Sequence, residues 1–126
     1  MSLREEIKPF TDADGLVAPY PVNPTDSCTS DNGLMFTSEY YLLLALRGEL
    51  EPSDVPEWRS RTMQCFKEPG LLCRNPVKYG IHSQEGPDDY YGVLAASSVL
   101  DRTVAEAILI YGQSTELSLI HISEPT

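Results

Sequence analysis

The chain has 126 residues and carries 19 acidic and nine basic side chains, a formal net charge of -10 at pH 7. This length suits one domain or part of one, and the excess of carboxylates would repel nucleic-acid phosphate, so we expect no nucleic-acid partner. The longest apolar run, Tyr40 to Leu46, is far short of the roughly 20 residues that cross a bilayer, so no membrane segment is predicted.

Prolines dominate the first part of the chain. Pro9, Pro19, Pro21 and Pro24 remove amide donors and fix φ, which disfavours a regular helix or a central strand. We therefore predict a Pro-rich arm or loop over residues 1–33. Its apolar side chains would pack on the rest of the protein: Phe10, Leu16, Val17 and Tyr20.

The first strong helix signal runs from Leu34 to Arg47. Leu34, Tyr41 and Leu44 recur at helical spacing, and Gly48 suits the left-handed residue that follows a helix. Because this stretch is apolar on nearly all sides, we expect it to be buried on more than one face.

A second helix is predicted from Val55 to Phe66. Asp54 and Glu57 have the spacing of an acidic N-cap and its capping-box partner. Pro69-Gly70 would end this helix and begin a long connection over residues 69–86. Loops of this length inside a compact domain are often functional.

Two further helices follow this connection. Pro87 suits the first position of the third helix, where Asp88 and Asp89 would complement the positive end of the helix dipole. A capping box at Thr103 opens a short fourth helix that ends near Gly112.

These elements predict a mainly α fold of antiparallel helical hairpins over residues 34–116. Residues 39–45 align without gaps with residues 89–95, and self-similarity at this spacing is compatible with stacked helical hairpins. Chance similarity of two buried helices is the alternative. If the repeat is real, two hairpins do not close a core alone, which predicts an incomplete α/α-barrel-like or helical-repeat array.

The last ten residues, Leu117 to Thr126, read Leu-Ser-Leu-Ile-His-Ile-Ser-Glu-Pro-Thr. They are the codon-by-codon translation of CTGTCTCTTATACACATCTCCGAGCCCACG, which resembles a transposon-end adaptor of sequencing libraries. We therefore expect residues 117–126 to be a non-native tail that is excluded from fold reasoning. On this expectation the native part ends near Glu116, the helical domain is C-terminally truncated, and His82 is the one native histidine.

Five motifs together resemble a group of bacteriophage and metagenomic proteins that have no assigned activity. They are Asp31-Asn32-Gly33, Glu39-Tyr40-Tyr41, Glu68-Pro69-Gly70-Leu71, Arg74-Asn75-Pro76 and Pro87-Asp88-Asp89-Tyr90-Tyr91-Gly92-Val93-Leu94-Ala95-Ala96-Ser97. The resemblance covers about residues 30–112 and implies a habitat and a longer chain. We expect a structural or binding role in the host cytoplasm or the virion, since the charged start is unlike a secretory signal.

The layout also resembles α/α-barrel proteins that act on glycans, which gives an alternative function. Acid–base cleavage of a glycosidic bond needs two carboxylates about 5–10 Å apart in a concave pocket. The catalytic candidates are Asp31, Glu39, Asp88 and Asp89, with His82 and Arg74 as basic partners. Helix capping is the simpler role for Asp88 and Asp89. A structural protein would instead expose a flat apolar face.

Two pairs of tyrosines, Tyr40-Tyr41 and Tyr90-Tyr91, would suit stacking on sugar rings. Adjacent helical residues point about 100° apart, so core packing is the alternative. In that case one tyrosine of each pair enters the core and the other reaches its edge.

The cysteines give no typical metal motif. Cys65, Cys73 and His82 lack the short ligand spacing of zinc sites, and Cys28 would have to fold in as a fourth ligand. Buried, reduced thiols are the better explanation. We predict no cofactor and no metal; the partner is unknown, with a virion protein or a glycan as candidates.

Overall fold

The computed structural model describes residues 2–25, 33–68, 70–72 and 87–115. This part of the chain is mainly α, as predicted. Its elements are α1 (Leu3–Ile7), a 3₁₀ turn (Lys8–Phe10), α2 (Gly33–Leu46), α3 (Asp54–Met63), β1 (Phe66–Glu68), β2 (Leu71–Leu72), α4 (Pro87–Leu100) and α5 (Arg102–Thr115). The expected non-native tail, residues 117–126, lies outside the described residues.

The N-terminal segment, residues 2–25, is more regular than the Pro-rich arm that we predicted. Ser2 caps α1, because its Oγ accepts a hydrogen bond from the Glu5 amide at 3.2 Å and donates one to Glu5 Oε1 at 3.0 Å. The proline content of this segment argued against a helix, although Ser2 and Glu5 have capping-box spacing. Beyond the 3₁₀ turn, the chain folds back through an antiparallel bridge between Thr11 and Val17.

The first and third predicted helices correspond to α2 and α4. Gly48 follows α2 with a φ of +71°, as its predicted cap position requires. The main packing joins α2 to α4, while α2 with α3 and α4 with α5 form smaller contacts. Gly92 permits this close approach, since a Cβ there would lie 3.2 Å from Met35 Cα. The largest helix interface therefore joins the two predicted pairs to each other.

The gapless alignment of residues 39–45 with residues 89–95 does not match the burial of the two helices. Tyr41 is fully buried, whereas its aligned partner Tyr91 is 52% exposed. Glu39 is exposed, whereas its partner Asp89 is fully buried. In each tyrosine pair one ring lies deeper than the other: Tyr41 is fully buried and Tyr40 is 8% exposed, while Tyr90 is 6% and Tyr91 52% exposed.

The chain after α3 differs from its predicted helix to Phe66. Residues 66–68 of β1 instead pair with β2 as an antiparallel hairpin, Phe66 lying opposite Leu72. This hairpin rests on α5, because a Cβ on Gly70 would overlap the Ala107 carbonyl oxygen. Because residues 66–68 are extended, α3 ends at Met63 and not at Phe66, where the apolar pattern placed its end.

Two of the predicted helix caps are wrong in detail. Ser53 precedes α3, so Asp54 is its first residue and its carboxylate is used in a contact with α1. At α5 the cap is Asp101, whose Oδ1 accepts hydrogen bonds from the Thr103 amide at 3.1 Å and the Thr103 hydroxyl at 2.7 Å. Helix α5 then runs through Gly112 to Thr115.

The core joins side chains from the N-terminal segment, the four longer helices and β2. Its largest fully buried members are Trp58, Tyr41, Leu34, Leu44, Leu72, Ile108 and Val93. Cys65 is buried among them, while Cys28 and Cys73 lie outside the described residues. No helix of the described ranges is both long and apolar enough to cross a membrane.

Candidate functional site

The predicted catalytic residues fall in three different settings. Asp31, Arg74 and His82 lie outside the described residues. Asp89 is fully buried, and its Oδ1 accepts a hydrogen bond from the Met35 amide at 2.6 Å. This amide belongs to the first turn of α2, where helix N–H groups lack partners within the helix. Asp89 therefore joins α4 to the N-terminus of α2, and it has a structural contact to account for its burial.

Glu39 and Asp88 lie together on an open groove between α2 and α4. This α2–α4 groove has a volume of about 300 Å³, and its lining consists of Met35, Glu39, Leu42, Asp88, Tyr91, Gly92 and Ala95. Both carboxylates are exposed, and Tyr91 presents half of its surface to solvent. The structure thus brings two of the predicted acids and one predicted sugar-stacking tyrosine to a single concave surface.

A larger cavity, the N-terminal cleft, was not predicted from the sequence. It has a volume of about 600 Å³ and lies between the N-terminal segment and helices α2 and α3. Its lining consists of Arg4, Ile7, Lys8, Pro9, Thr11, Asp12, Pro24, Tyr40, Glu57 and Arg61. The volume falls within the range of about 300–1,000 Å³ that is usual for small-molecule sites.

An ion pair between Arg4 and Asp54 holds the two walls of the cleft together. Arg4 Nη1 donates to Asp54 Oδ1 at 2.9 Å, Nη2 contacts Oδ2, and Nη2 also donates to the Glu49 carbonyl at 3.1 Å. The Asp54 side chain is 1% exposed, and it also accepts the Glu51 amide at 2.6 Å. The hydrogen bonds from Arg4 hold the pKa of Asp54 below its usual value despite burial. The two-pronged contact therefore fixes α1 over the start of α3.

On the opposite wall, Glu57 and Arg61 form a hydrogen-bonded group with the fully buried Tyr41. The Tyr41 hydroxyl donates to Glu57 Oε1, and Arg61 Nη2 lies 3.1 Å from the same oxygen. The Arg61 guanidinium also stands over the Tyr41 ring, 5.7 Å from its centroid, which is a cation–π distance. Burial, followed by the bond to Glu57, raises the pKa of Tyr41. This phenol therefore stays protonated near neutral pH.

The Arg61 side chain passes directly over the backbone at Gly15. A Cβ on Gly15 would lie 2.6 Å from Arg61 Nε, and the φ of +81° at Gly15 also favours glycine. Asp12 shapes the same turn, because its Oδ1 accepts the amides of Asp14 and Leu16 at 2.9 and 3.0 Å. Gln64 adds a hydrogen bond to the Asp14 carbonyl at 3.3 Å. The turn at residues 12–16 thus positions Arg61 at the cleft.

Basic side chains are more frequent in the lining of the cleft than in the chain as a whole. Arg4, Lys8 and Arg61 are three of the nine basic residues of the chain. Arg4 is paired with Asp54 and Arg61 with Glu57, whereas Lys8 forms no ion pair within the described ranges. Lys8 is also exposed, so its ammonium group can meet a ligand from solvent.

The acidic groups of the cleft and the adjacent Tyr41 already have partners within the protein. Glu57 and Asp12 each have an oxygen already engaged by the protein, and Tyr41 is kept neutral. No group of three potential metal-ligating side chains occurs among the residues that the structure describes. Comparison with protein-family models, with curated proteins and with solved structures gives no match.

Proposed function

We propose that this chain is a binding protein whose N-terminal cleft takes a small molecule. The observation that carries the proposal is the cleft itself, a cavity of about 600 Å³ with a polar wall fixed by Tyr41, Glu57 and Arg61. A site that is ordered before the ligand arrives loses less entropy on binding. A binding task also agrees with the role expected from the resemblance to bacteriophage proteins, in the host cytoplasm or the virion.

The cleft depends on a docked N-terminal segment. Six of its lining residues come from positions 4–12, and Arg4 attaches this wall to Asp54. A ligand that touches both walls would add contacts only to the docked state. It would therefore stabilise the segment by mass action.

Chemical-shift mapping of the full ¹⁵N-labelled chain against a library of small molecules tests this proposal. Bound compounds should shift the amides of residues 4–8 and 10–12 together with those of Tyr40, Glu57 and Arg61. The variant Asp88→Asn, in the α2–α4 groove, serves as a matched control and should bind equally well. Failure of every compound to shift cleft amides would contradict the proposal.

A second candidate function is glycan binding or cleavage in the α2–α4 groove. Its support is the meeting of Glu39, Asp88 and the half-exposed Tyr91 on one concave surface. Carboxylates of this kind would act as acid and base on a glycosidic bond, while the tyrosine ring stacks on a sugar.

Release of reducing ends from soluble oligosaccharides separates the two candidates. Cleavage in the groove predicts that Glu39→Gln and Asp88→Asn each abolish release, whereas Lys8→Gln leaves it unchanged. Absence of release, with no shift of the Tyr91 amide on adding the oligosaccharides, would count against a glycan site.

A further inference from the structure

We infer that the ligand of the N-terminal cleft is a small organic anion with an apolar body, held through Lys8 and Arg61. This inference rests on the proposed binding function and adds the chemical class of the ligand. A carboxylate and a phosphate share the required chemistry, because both accept several hydrogen bonds from cationic donors.

The cleft offers an anion the exposed ammonium group of Lys8. Its lining carries Arg4, Lys8 and Arg61 against Asp12 and Glu57, and Arg4 is further neutralised by Asp54. Lys8 is the cation whose charge is not matched by an ion pair within the described ranges. The chain as a whole is strongly acidic, with a formal net charge of -10. An anion that reaches Lys8 and Arg61 gains charge-assisted hydrogen bonds that a neutral or cationic ligand does not.

Arg61 supplies a second, oriented donor. A guanidinium has five N–H donors, and the Glu57 contact involves Nη2. The Tyr41 ring and the backbone at Gly15 hold the remainder of the group in place. The Arg61 side chain is 25% exposed, so its N–H donors can reach a ligand in the cleft from a fixed position.

The rest of the lining suits an apolar body next to the charged group. Ile7, Pro9 and Tyr40 present hydrocarbon or ring surface to the cleft. Ile7 and Tyr40 also form part of an adjoining pocket of about 270 Å³ that includes Phe10 and Phe36. An aryl or alkyl group attached to the anion would bury this surface on binding.

Four probes of similar size test the inference by chemical-shift titration of the full chain. They are phenylacetate, phenyl phosphate, neutral phenylacetamide and cationic phenethylamine. The two anions should bind with shifts at residues 4–12 and Arg61, at least about tenfold more tightly than the amide, since hydrogen bonds between charged groups are the stronger ones. Comparison of the two anions identifies the preferred headgroup.

Two variants locate the contact. Lys8→Gln should weaken both anions several-fold and leave the amide unchanged, while Arg102→Gln at the exposed start of α5 provides a charge-matched control. Gly15→Ala should weaken them through displacement of Arg61. Equal binding of amide and anion would overturn the ligand class and leave the binding proposal intact. Absence of any shift in the cleft with every probe and with the wider library would overturn both.

Discussion

The N-terminal cleft and the α2–α4 interface use acidic residues in different ways. At the α2–α4 interface the helices pack closely around Gly92, and the buried Asp89 accepts the Met35 amide. At the cleft the walls come from different segments of the chain, and contacts between charged side chains join them. Asp54 pairs with Arg4, and Glu57 receives Tyr41 and Arg61.

This difference shows what an acidic cluster in a sequence does and does not indicate. Asp88 and Asp89 are adjacent, but one is exposed and the other closes a helix end. The cleft acids instead have their cationic partners up to 50 residues away. Burial and partners, which the linear sequence does not display, decide whether a carboxylate supports the fold or faces a ligand.

Removal of the Arg4–Asp54 contact should have the largest effect. Arg4→Ala leaves a carboxylate that is 1% exposed without its guanidinium partner, and loss of one partner of a buried pair costs about 3 kcal/mol or more. Lys8→Ala, on the same segment, is the control and should change the free energy of unfolding by less than about 0.5 kcal/mol. Urea denaturation measures the free energy of unfolding of both variants.

A double-mutant cycle completes this comparison. Arg4→Ala combined with Asp54→Ala should be less destabilised than the sum of the single variants, because no buried charge is left unpaired. Additive losses would show that the two side chains do not interact in solution.

Asp89 and Asp88 form a matched pair for the α2–α4 interface. Asp89→Ala should destabilise the protein by about 1–3 kcal/mol, because the Met35 amide loses its acceptor in a part-buried setting. Asp88→Ala removes an exposed charge from the first turn of α4 and should cost about 0.5 kcal/mol. Thermal or chemical unfolding that ranks the two variants in the reverse order would reject the structural role of Asp89.

The cleft should also be the more acid-sensitive region. The pKa of Asp54 is lowered in the folded protein by its hydrogen bonds with Arg4. Its stabilising contribution is therefore complete above the unfolded pKa, near 4, and is lost as the pH falls through the folded value. Urea midpoints between pH 6 and pH 2.5 should fall more steeply for the wild type than for Asp54→Asn. Parallel curves would contradict this assignment.

The cap of α5 should have a smaller effect than the Arg4–Asp54 contact. Asp101→Ala should cost about 1 kcal/mol, because the Thr103 amide and hydroxyl lose their acceptor. Hydrogen bonding, first from the Thr103 hydroxyl, lowers the pKa of Asp101. Asp101→Asn keeps an acceptor oxygen and should recover part of the lost stability, which thermal melts would measure. A larger loss in Thr103→Ala than in Asp101→Ala would restore Thr103 as the cap.

Local pattern predicted four of the helices but neither α1 nor the cleft. Apolar spacing located α2, and Pro87 located the start of α4. Proline content concealed α1, although Ser2 and Glu5 carried a capping-box signal. The contact of Arg4 with Asp54 and the passage of Arg61 over Gly15 join distant segments. Neither has a periodic signature, so the site itself had no counterpart in the sequence analysis.

Hydrogen exchange with and without phenylacetate tests the central claim most directly, since the claim is that a ligand bridges the N-terminal segment and the helices. Two amides report on this segment: Val17, which donates to Thr37 Oγ1 at 2.8 Å, and Ala18, which donates to the Phe10 carbonyl at 2.8 Å. Saturating phenylacetate should slow exchange at both, with little change at the Met35 amide, because ligand binding suppresses local opening of the docked segment. Slowing confined to the α2–α4 groove, or unchanged exchange in the segment at saturation, would contradict the account.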